Sequence, residues 1–178
     1  MFPPDRIICL TEETVETLYL LGEHDCIVGI SGYVVRPPQA RREKPRVSAF
    51  TSANIDKILA LKPDLVLTFS DLQADIVTDL ICCGLNVHAF NQRAVAGIFD
   101  MIRMLGAMVD AGGRAEELVA TLEAGLVQAR GRAECLPRRP RVRSPGRRRA
   151  RPGRGTAASG YPDPASNFVR RRFQAKRG

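Results

Sequence analysis

The sequence predicts an α/β fold with a mostly parallel sheet, and three observations support this. Short apolar runs that suit strands alternate with helical patterns throughout residues 6–110. The clearest unit, NIDKILALKPDLVLTF at residues 54–69, joins a helical pattern to a nearly unbroken apolar run from Leu65 to Phe69. That run is too short for a helix and is typical of a strand buried on both faces of a parallel sheet. Parallel strands need crossover connections, which are almost always right-handed.

The elements before this unit follow the same alternation. Residues 6–10 (RIICL) and 27–30 predict strands, and a helix between them begins after Thr11. The core face of that helix is predicted to contain Val15, Leu18 and Tyr19. Residues 31–45 contain three prolines and no periodicity, so a loop is expected there, followed by a brief extended segment at 47–50.

In the central unit, Asn54 is the predicted N-cap of the helix, and Pro63 ends it. A further helix is expected after Asp71, and its predicted core positions are Leu72, Ile76, Val77, Leu80 and Ile81. Residues 85–90 predict the next strand. A helix with an apolar stripe follows, with core positions Ile98, Met101, Ile102, Leu105, Met108 and Val109. A last, long helix is predicted over residues 114–135, after Gly112 and Gly113.

Charge divides the chain near Leu136. Residues 1–136 carry 13 basic and 18 acidic residues, whereas residues 137–178 carry 14 basic residues and one acid. The second part is rich in Arg, Pro and Gly and has almost no aliphatic residues, which predicts a disordered basic tail. We favour its origin in a change of reading frame in a GC-rich gene. The alternatives are a native tail that binds nucleic acid or anionic lipid through arginines, or a tail that is merely disordered.

Several functional classes lack support in the sequence. The chain contains no P-loop, no GxGxxG after the first strand and no GxSxG, so we expect a protein that is not an enzyme. His24 and His88 have no further ligand at metal-binding spacing, and neither a metal site nor a cofactor is predicted. The five cysteines show no CxxC spacing, and most are expected to be small buried residues. No stretch is apolar enough to span a bilayer.

Polar residues follow four of the predicted strands. Because the carboxyl ends of parallel strands meet at one edge of a sheet, ligands collect there in α/β folds. The candidates at those ends are Thr11 and Glu12, Ser31 and Tyr33, Ser70 and Asp71 with Gln73, and Asn91 and Gln92. A binding site is therefore expected at this edge of the sheet.

Four segments also resemble a known family. They are RIICLTEETVETLYLLGEHDCIVGIS, YVVRPP, NIDKILALKPDLVL and LICCGLNVHAF, in that order along the chain. Together they resemble the N-terminal lobe of the periplasmic binding proteins for iron-siderophores, haem and vitamin B12, over residues 5–142. The resemblance implies a single Rossmann-like lobe at 5–111, a connector helix at 112–136 and, at 137–178, the tail in place of a second lobe.

This resemblance implies a substrate-binding component of an ABC importer, with cobalamin or a ferric siderophore as ligand. The partners would be the permease and ATPase subunits, and nucleic acid would bind only through the tail. By position in the family, the ligand contacts would be Glu12, Tyr33, Ser70, Asp71 and Asn91. Asp56 occupies the place of an acidic residue that contacts arginines of the permease.

Two expectations concern completeness and compartment. With only the first lobe present, binding is expected to be impaired, because half a cleft covers about half of the ligand. The family is periplasmic. The chain begins without a charged segment followed by an apolar core, so the sequence as written predicts a cytoplasmic protein.

Overall fold

A computed structural model describes residues 2–136 of the protein, which form a five-stranded sheet with helices on both faces. The strands are β1 (Ile7–Cys9), β2 (Ile27–Ser31), β3 (Arg46–Ser48), β4 (Leu65–Phe69) and β5 (Val87–Phe90). Their order across the sheet is β3-β2-β1-β4-β5, and every pairing is parallel. The predicted α/β fold with a parallel sheet is confirmed.

Six helices connect and follow the strands. They are α1 (Glu12–Leu20), α2 (Ala40–Glu43), α3 (Ile55–Ala60), α4 (Ala74–Cys82), α5 (Val95–Met108) and α6 (Gly112–Glu134). The last helix, α6, has 23 residues and is roughly 35 Å long, so the predicted long helix is present, although it begins at the glycine pair rather than after it. Its role as a connector stays a prediction. No helix within residues 2–136 combines the length and apolarity needed to cross a membrane. The predicted disordered tail, its frameshift origin and its nucleic-acid binding lie outside the described residues.

Alternation along the strands divides the core into two layers. In β1, Ile7 and Cys9 pack into the cluster that contains α1, α5 and α6, whereas Ile8 and the following Leu10 pack into the cluster under α3 and α4. The two faces of β4 divide in the same way, with Leu67 in the first layer and Val66 in the second. The prediction that the strand at 65–69 is buried on both faces is therefore correct.

Several predictions about local structure are wrong. The loop at 31–45 contains one helical turn, α2. The predicted core positions Leu72, Ile81 and Ile98 are 62%, 58% and 41% exposed. For Leu72 the cause is a tight 3-10 turn at residues 71–73, which places this residue before α4 begins at Ala74. Ile76 and Leu80 of the same helix are buried, as predicted.

The cysteines also depart from expectation. Cys9 is buried and Cys26 is half-buried, but Cys82, Cys83 and Cys135 are exposed. Burial raises the pKa of the Cys9 thiol to about 12, so this thiol stays protonated and unreactive at neutral pH.

The amino ends of the central strands are closed by the Asp64 carboxylate. It accepts hydrogen bonds from the backbone N–H groups of Asp5 (2.8 Å) and Arg6 (3.1 Å), which lead into β1. The Arg6 side chain donates to the carbonyls of Leu61 (2.6 Å) and Lys62 (3.1 Å) at the end of α3. The polar groups at this end of the sheet therefore satisfy one another, and the KPD sequence at residues 62–64 has a structural role.

Close packing between α5 and α6 depends on Gly106. A Cβ atom added to Gly106 would overlap the Cβ of Ala115 on α6, whereas a Cβ on Gly125 would meet nothing within 4 Å. We expect Gly106→Ala to lower the free energy of unfolding by about 1–3 kcal/mol through overpacking. The control, Gly125→Ala, should raise it by about 0.5–1 kcal/mol, because alanine favours a helix more than glycine does. Urea unfolding of both variants measures this, and equal effects in the two would contradict the packing.

Candidate functional site

The carboxyl ends of all five strands lie at one edge of the sheet, because every pairing is parallel. We call this edge the carboxyl rim. It consists of the segments that follow the strands: residues 10–13, 32–36, 49–54, 70–73 and 91–94. All of the ligand-contact residues predicted from the sequence lie in it.

Three of the rim segments are held together by one side chain, that of Gln73. Gln73 is fully buried, with 0% of its surface exposed. Its Oε1 accepts a hydrogen bond from the Phe69 N–H at 2.9 Å, and its Nε2 donates to the carbonyls of Phe50 (2.8 Å) and Leu10 (3.3 Å). The ends of β1 and β4 and the segment after β3 are thereby fixed relative to one another. Sequence reasoning placed Gln73 at the rim but did not identify this role.

Ser70 occupies a strained backbone position between β4 and β5. Its φ of 58° and ψ of 179° lie in a region that is used almost only by glycine. The Ser70 N–H donates to the Phe90 carbonyl at 2.8 Å, and its Oγ accepts from the Leu72 N–H at 3.3 Å. The strained residue therefore links the ends of two strands while its hydroxyl caps the turn that follows.

Ser70, Asp71 and Asn91 lie together on the β4–β5 side of the rim. Asp71 pairs with Arg93, with 3.2 Å between Oδ1 and Nη2. The Arg93 guanidinium also lies over the ring of Phe69, 6.0 Å from its centroid. Asn91 directly follows β5 and is exposed. The predicted contacts Ser70, Asp71 and Asn91 thus form one group, in which the Asp71 carboxylate already has a cationic partner.

Glu12 and Tyr33 form the second group, on the β1–β2 side. Glu12 Oε1 accepts hydrogen bonds from the N–H groups of Arg36 (2.9 Å) and Val35 (3.3 Å). The carboxylate therefore holds the loop that carries Tyr33, whose side chain is largely exposed. Glu12 as a direct ligand contact stays a prediction, and the structure gives its carboxylate a positioning role.

Unpaired buried polar atoms are concentrated at this edge of the sheet. Within residues 2–136, three buried side-chain oxygens have no hydrogen-bond partner: Glu13 Oε1, Ser48 Oγ and Gln92 Oε1. Glu13 lies in the first turn of α1, Ser48 ends β3, and Gln92 lies two residues after β5. Buried polar atoms in proteins are almost always paired, so each of these three oxygens requires a hydrogen bond with ordered water or with a bound molecule.

Two surface cavities adjoin the outer strands of the sheet. The larger, about 360 Å³, lies between β3 and α3, and its lining includes Arg46, Ser48, Ser52, Asn54 and Lys57. The smaller, about 250 Å³, lies between β5 and α5 and is lined in part by His88 and Gln92. Burial lowers the pKa of His88, which favours the neutral imidazole at physiological pH. Among residues 2–136, no three His, Cys, Asp or Glu side chains are grouped to hold a metal ion.

Sequence reasoning missed the residues of the larger cavity. It considered polar residues after four strands and left out the brief segment at 47–50, which contains the end of β3. The signal that was available is Ser48 directly after an apolar position, Val47, with Thr51 and Ser52 following the segment.

Comparison with known proteins identifies the family of this chain. The family model described as periplasmic binding protein matches residues 7–143, which is most of the chain. The chain belongs to the periplasmic binding protein family. This confirms the resemblance drawn from the sequence, and it agrees with the expectation of a protein that is not an enzyme.

Relatives in the periplasmic binding protein family show how far the similarity extends. A vitamin B12-binding protein of Vibrio cholerae is 44% identical over 68 residues, which cover 38% of this chain and 24% of that protein. An uncharacterised ABC transporter substrate-binding lipoprotein, YvrC, of Bacillus subtilis (strain 168) is 26% identical over 137 residues, which cover 75% of this chain and 43% of that protein. The crystal structure of the periplasmic vitamin B12 binding protein BtuF of Vibrio cholerae is 28% identical, with a TM-score of 0.67, and the match covers 76% of this chain and 53% of that chain. In the two longer matches the chain spans about half the length of the relative.

The role of Gln73 in this lobe can be tested by truncation. We expect Gln73→Ala to lower the free energy of unfolding by roughly 2–4 kcal/mol, because it leaves a buried N–H and two carbonyls without partners. The control is Gln128→Ala on the exposed surface of α6, which should change stability by less than about 0.5 kcal/mol. Thermal and urea unfolding of both variants measure the difference, and a loss below about 1 kcal/mol for Gln73→Ala would contradict the role assigned to the amide.

Proposed function

We propose that this lobe forms one wall of the ligand cleft in a substrate-binding component of an ABC importer, and that its ligand is cobalamin or an iron chelate such as a ferric siderophore. The proposal is supported by the family and by its relatives, which include a vitamin B12-binding protein and an ABC transporter substrate-binding lipoprotein. It includes the family's periplasmic compartment and the importer's permease and ATPase as partners. No chemical step is involved, since the protein binds and releases its cargo.

The observation that carries the proposal is the combination of surfaces at the carboxyl rim. Tyr33 is 65% exposed and Leu72 is 62% exposed, so large apolar side chains lie open there. Unpaired buried oxygens and exposed polar groups occur along the same edge. Apolar surface with a few placed polar groups is what a small-molecule site requires. The predicted contacts Glu12, Tyr33, Ser70, Asp71 and Asn91 would act as part of this wall.

Affinity is the second part of the proposal. A single wall leaves much of a large ligand exposed to water, so the chain should bind far more weakly than a two-walled receptor. Weak binding by the single lobe at residues 2–136 is therefore part of the proposal.

Asp56 is the proposed contact with the permease. It lies in the first turn of α3 and is exposed. An exposed carboxylate can pair with an arginine across an interface and so contribute to orientation and association rate.

Isothermal titration calorimetry of the 178-residue chain with cyanocobalamin, haemin and a ferric siderophore tests the function. We expect at least one to bind, with a Kd above about 10 µM because half a cleft recovers only part of the binding energy. Tyr33→Ala should weaken that binding about fivefold or more through loss of aromatic contact. The control is Ile81→Ala, an exposed apolar residue in the last turn of α4, away from the rim, which should leave binding unchanged.

Two results would contradict the proposed function or the proposed weak affinity. Failure of all three ligands to bind at millimolar concentration would remove the proposed function. Submicromolar affinity in the chain as it stands would show that one wall suffices, and would contradict the impairment.

A further inference from the structure

The cavity between β3 and α3, which we call the β3–α3 pocket, has the character of an anion site. Its lining contains two cationic side chains, Arg46 and Lys57, and two hydroxyls, Ser48 and Ser52. No carboxylate lines it. Guanidinium, ammonium and hydroxyl groups are together a donor set that suits carboxylate or phosphate oxygens.

The two cations have no acidic partner among the described residues. Neither Arg46 nor Lys57 lies within 4.0 Å of a carboxylate in residues 2–136. Arg36, Arg93, Arg103 and Arg114 each pair with an acid, whereas Arg46 and Lys57, like the exposed Arg41 and Arg42, have no such pair within residues 2–136. The pocket thus has positive charge that the described part of the fold does not neutralise.

The local charge balance also runs against that of the lobe. Residues 1–136 have 13 basic and 18 acidic residues, but residues 41–57 have five basic and two acidic ones. An anion that approaches the lobe is therefore attracted to this part of an otherwise acidic surface.

A hydroxyl and an amide in the pocket are available to a bound group. Ser48 Oγ is buried and has no hydrogen-bond partner among residues 2–136. Asn54 Oδ1 accepts from the Lys57 N–H at 2.9 Å, so its NH₂ group remains free to donate. A bound oxyanion would accept a hydrogen bond from the Ser48 hydroxyl and would neutralise the two nearby cations, which have no acidic partner among the described residues.

The pocket's size and place decide what kind of anion it would take. Its volume of about 360 Å³ is at the low end for a small-molecule site, and β3 is an edge strand, so the pocket lies at one end of the carboxyl rim. A large ligand that covers the rim would reach the pocket with one peripheral group rather than with its centre.

We propose that the β3–α3 pocket binds a carboxylate or phosphate group on the periphery of the ligand, so that the lobe selects metal chelates with an anionic arm over neutral ones of the same size. This inference rests on the proposed function and names a ligand class for it. Arg46 and Lys57 supply the charge, and Ser48 Oγ donates a hydrogen bond to the oxyanion.

A matched pair of probes tests the selection: a neutral ferric trihydroxamate and the same chelate with one added free carboxylate arm. At low ionic strength the full chain should bind the carboxylate form about tenfold more tightly, as charge-assisted hydrogen bonds imply. Added salt should reduce that preference. The double variant Arg46→Gln/Lys57→Gln should bring the two affinities within about twofold of each other while the neutral chelate binds as before.

Two further variants exclude general effects. Lys62→Gln/Arg130→Gln removes one lysine and one arginine that lie outside the pocket, and it should keep the preference. Ser48→Ala should weaken the anionic chelate about threefold without lowering the melting temperature, because Ser48 Oγ makes no hydrogen bond in the fold.

The possible outcomes distinguish failure of the anion site from failure of the proposed function. Equal affinity for the two chelates overturns the anion site and leaves the proposed function standing. If neither chelate binds, titration with citrate and with inorganic phosphate, followed by backbone amide NMR, tests the pocket by itself. Shifts around Ser48 and Lys57 that vanish in the double variant support the anion site without the transport function, and their absence overturns the site.

Discussion

The buried side-chain amide of Gln73 holds the carboxyl rim of this lobe together. Gln73 joins the end of β1, the segment after β3 and the end of β4 through three hydrogen bonds of 2.8–3.3 Å. The parallel sheet brings the strand ends to one edge, but it does not fix the irregular segments that follow them. A fully buried side chain with one acceptor and two donors fixes them, because each of its bonds would be costly to leave unmade. The loops that carry the candidate ligand contacts are built on this framework.

The two ends of the sheet differ in how their polar groups are paired. At the amino end, the Asp64 carboxylate and the Arg6 guanidinium bond to backbone groups of neighbouring segments, and the Asn86 side chain donates to the Asp64 carbonyl at 3.2 Å. At the carboxyl rim, by contrast, buried side-chain oxygens of Glu13, Ser48 and Gln92 have no partner among residues 2–136. Unpaired buried polar atoms cost stability, and each one in a native fold needs an explanation such as ordered water or a bound ligand. This contrast supports the rim, rather than the rest of the surface, as the binding face of a periplasmic binding protein lobe.

Local pattern was sufficient to predict the sheet and several helix ends. The apolar run at 65–69 predicts a buried strand because few other structures accommodate five such residues between turn signals. Asn54 was the predicted N-cap, and its side chain accepts from the Lys57 N–H. The exposure of Leu72 could not be foreseen, because it depends on a 3-10 turn that shifts the start of α4 by two residues.

The hydrogen bonds that organise the site could not be predicted from the sequence, because they join residues that are far apart along the chain. Gln73 bonds to groups 63 and 23 residues away, and Glu12 bonds to a loop 24 residues away. The chain positions of Gln73 and Glu12 placed both at the rim, yet nothing local distinguishes a positioning side chain from a ligand contact. The pocket that includes Arg46 and Lys57 was missed because β3 is only three residues long and Lys57 lies on the next helix, α3.

The central claim is that a metal-chelate ligand binds at the carboxyl rim, and backbone amide NMR during titration with cyanocobalamin or a ferric siderophore tests it most directly. The claim predicts that shifts concentrate at the rim, at Gly32, Tyr33, Ser70 and Asn91, while the amides of Asp64 and Asn86 at the opposite end stay unchanged. Shifts centred on the amino end of the sheet, or spread evenly over the lobe, would contradict it.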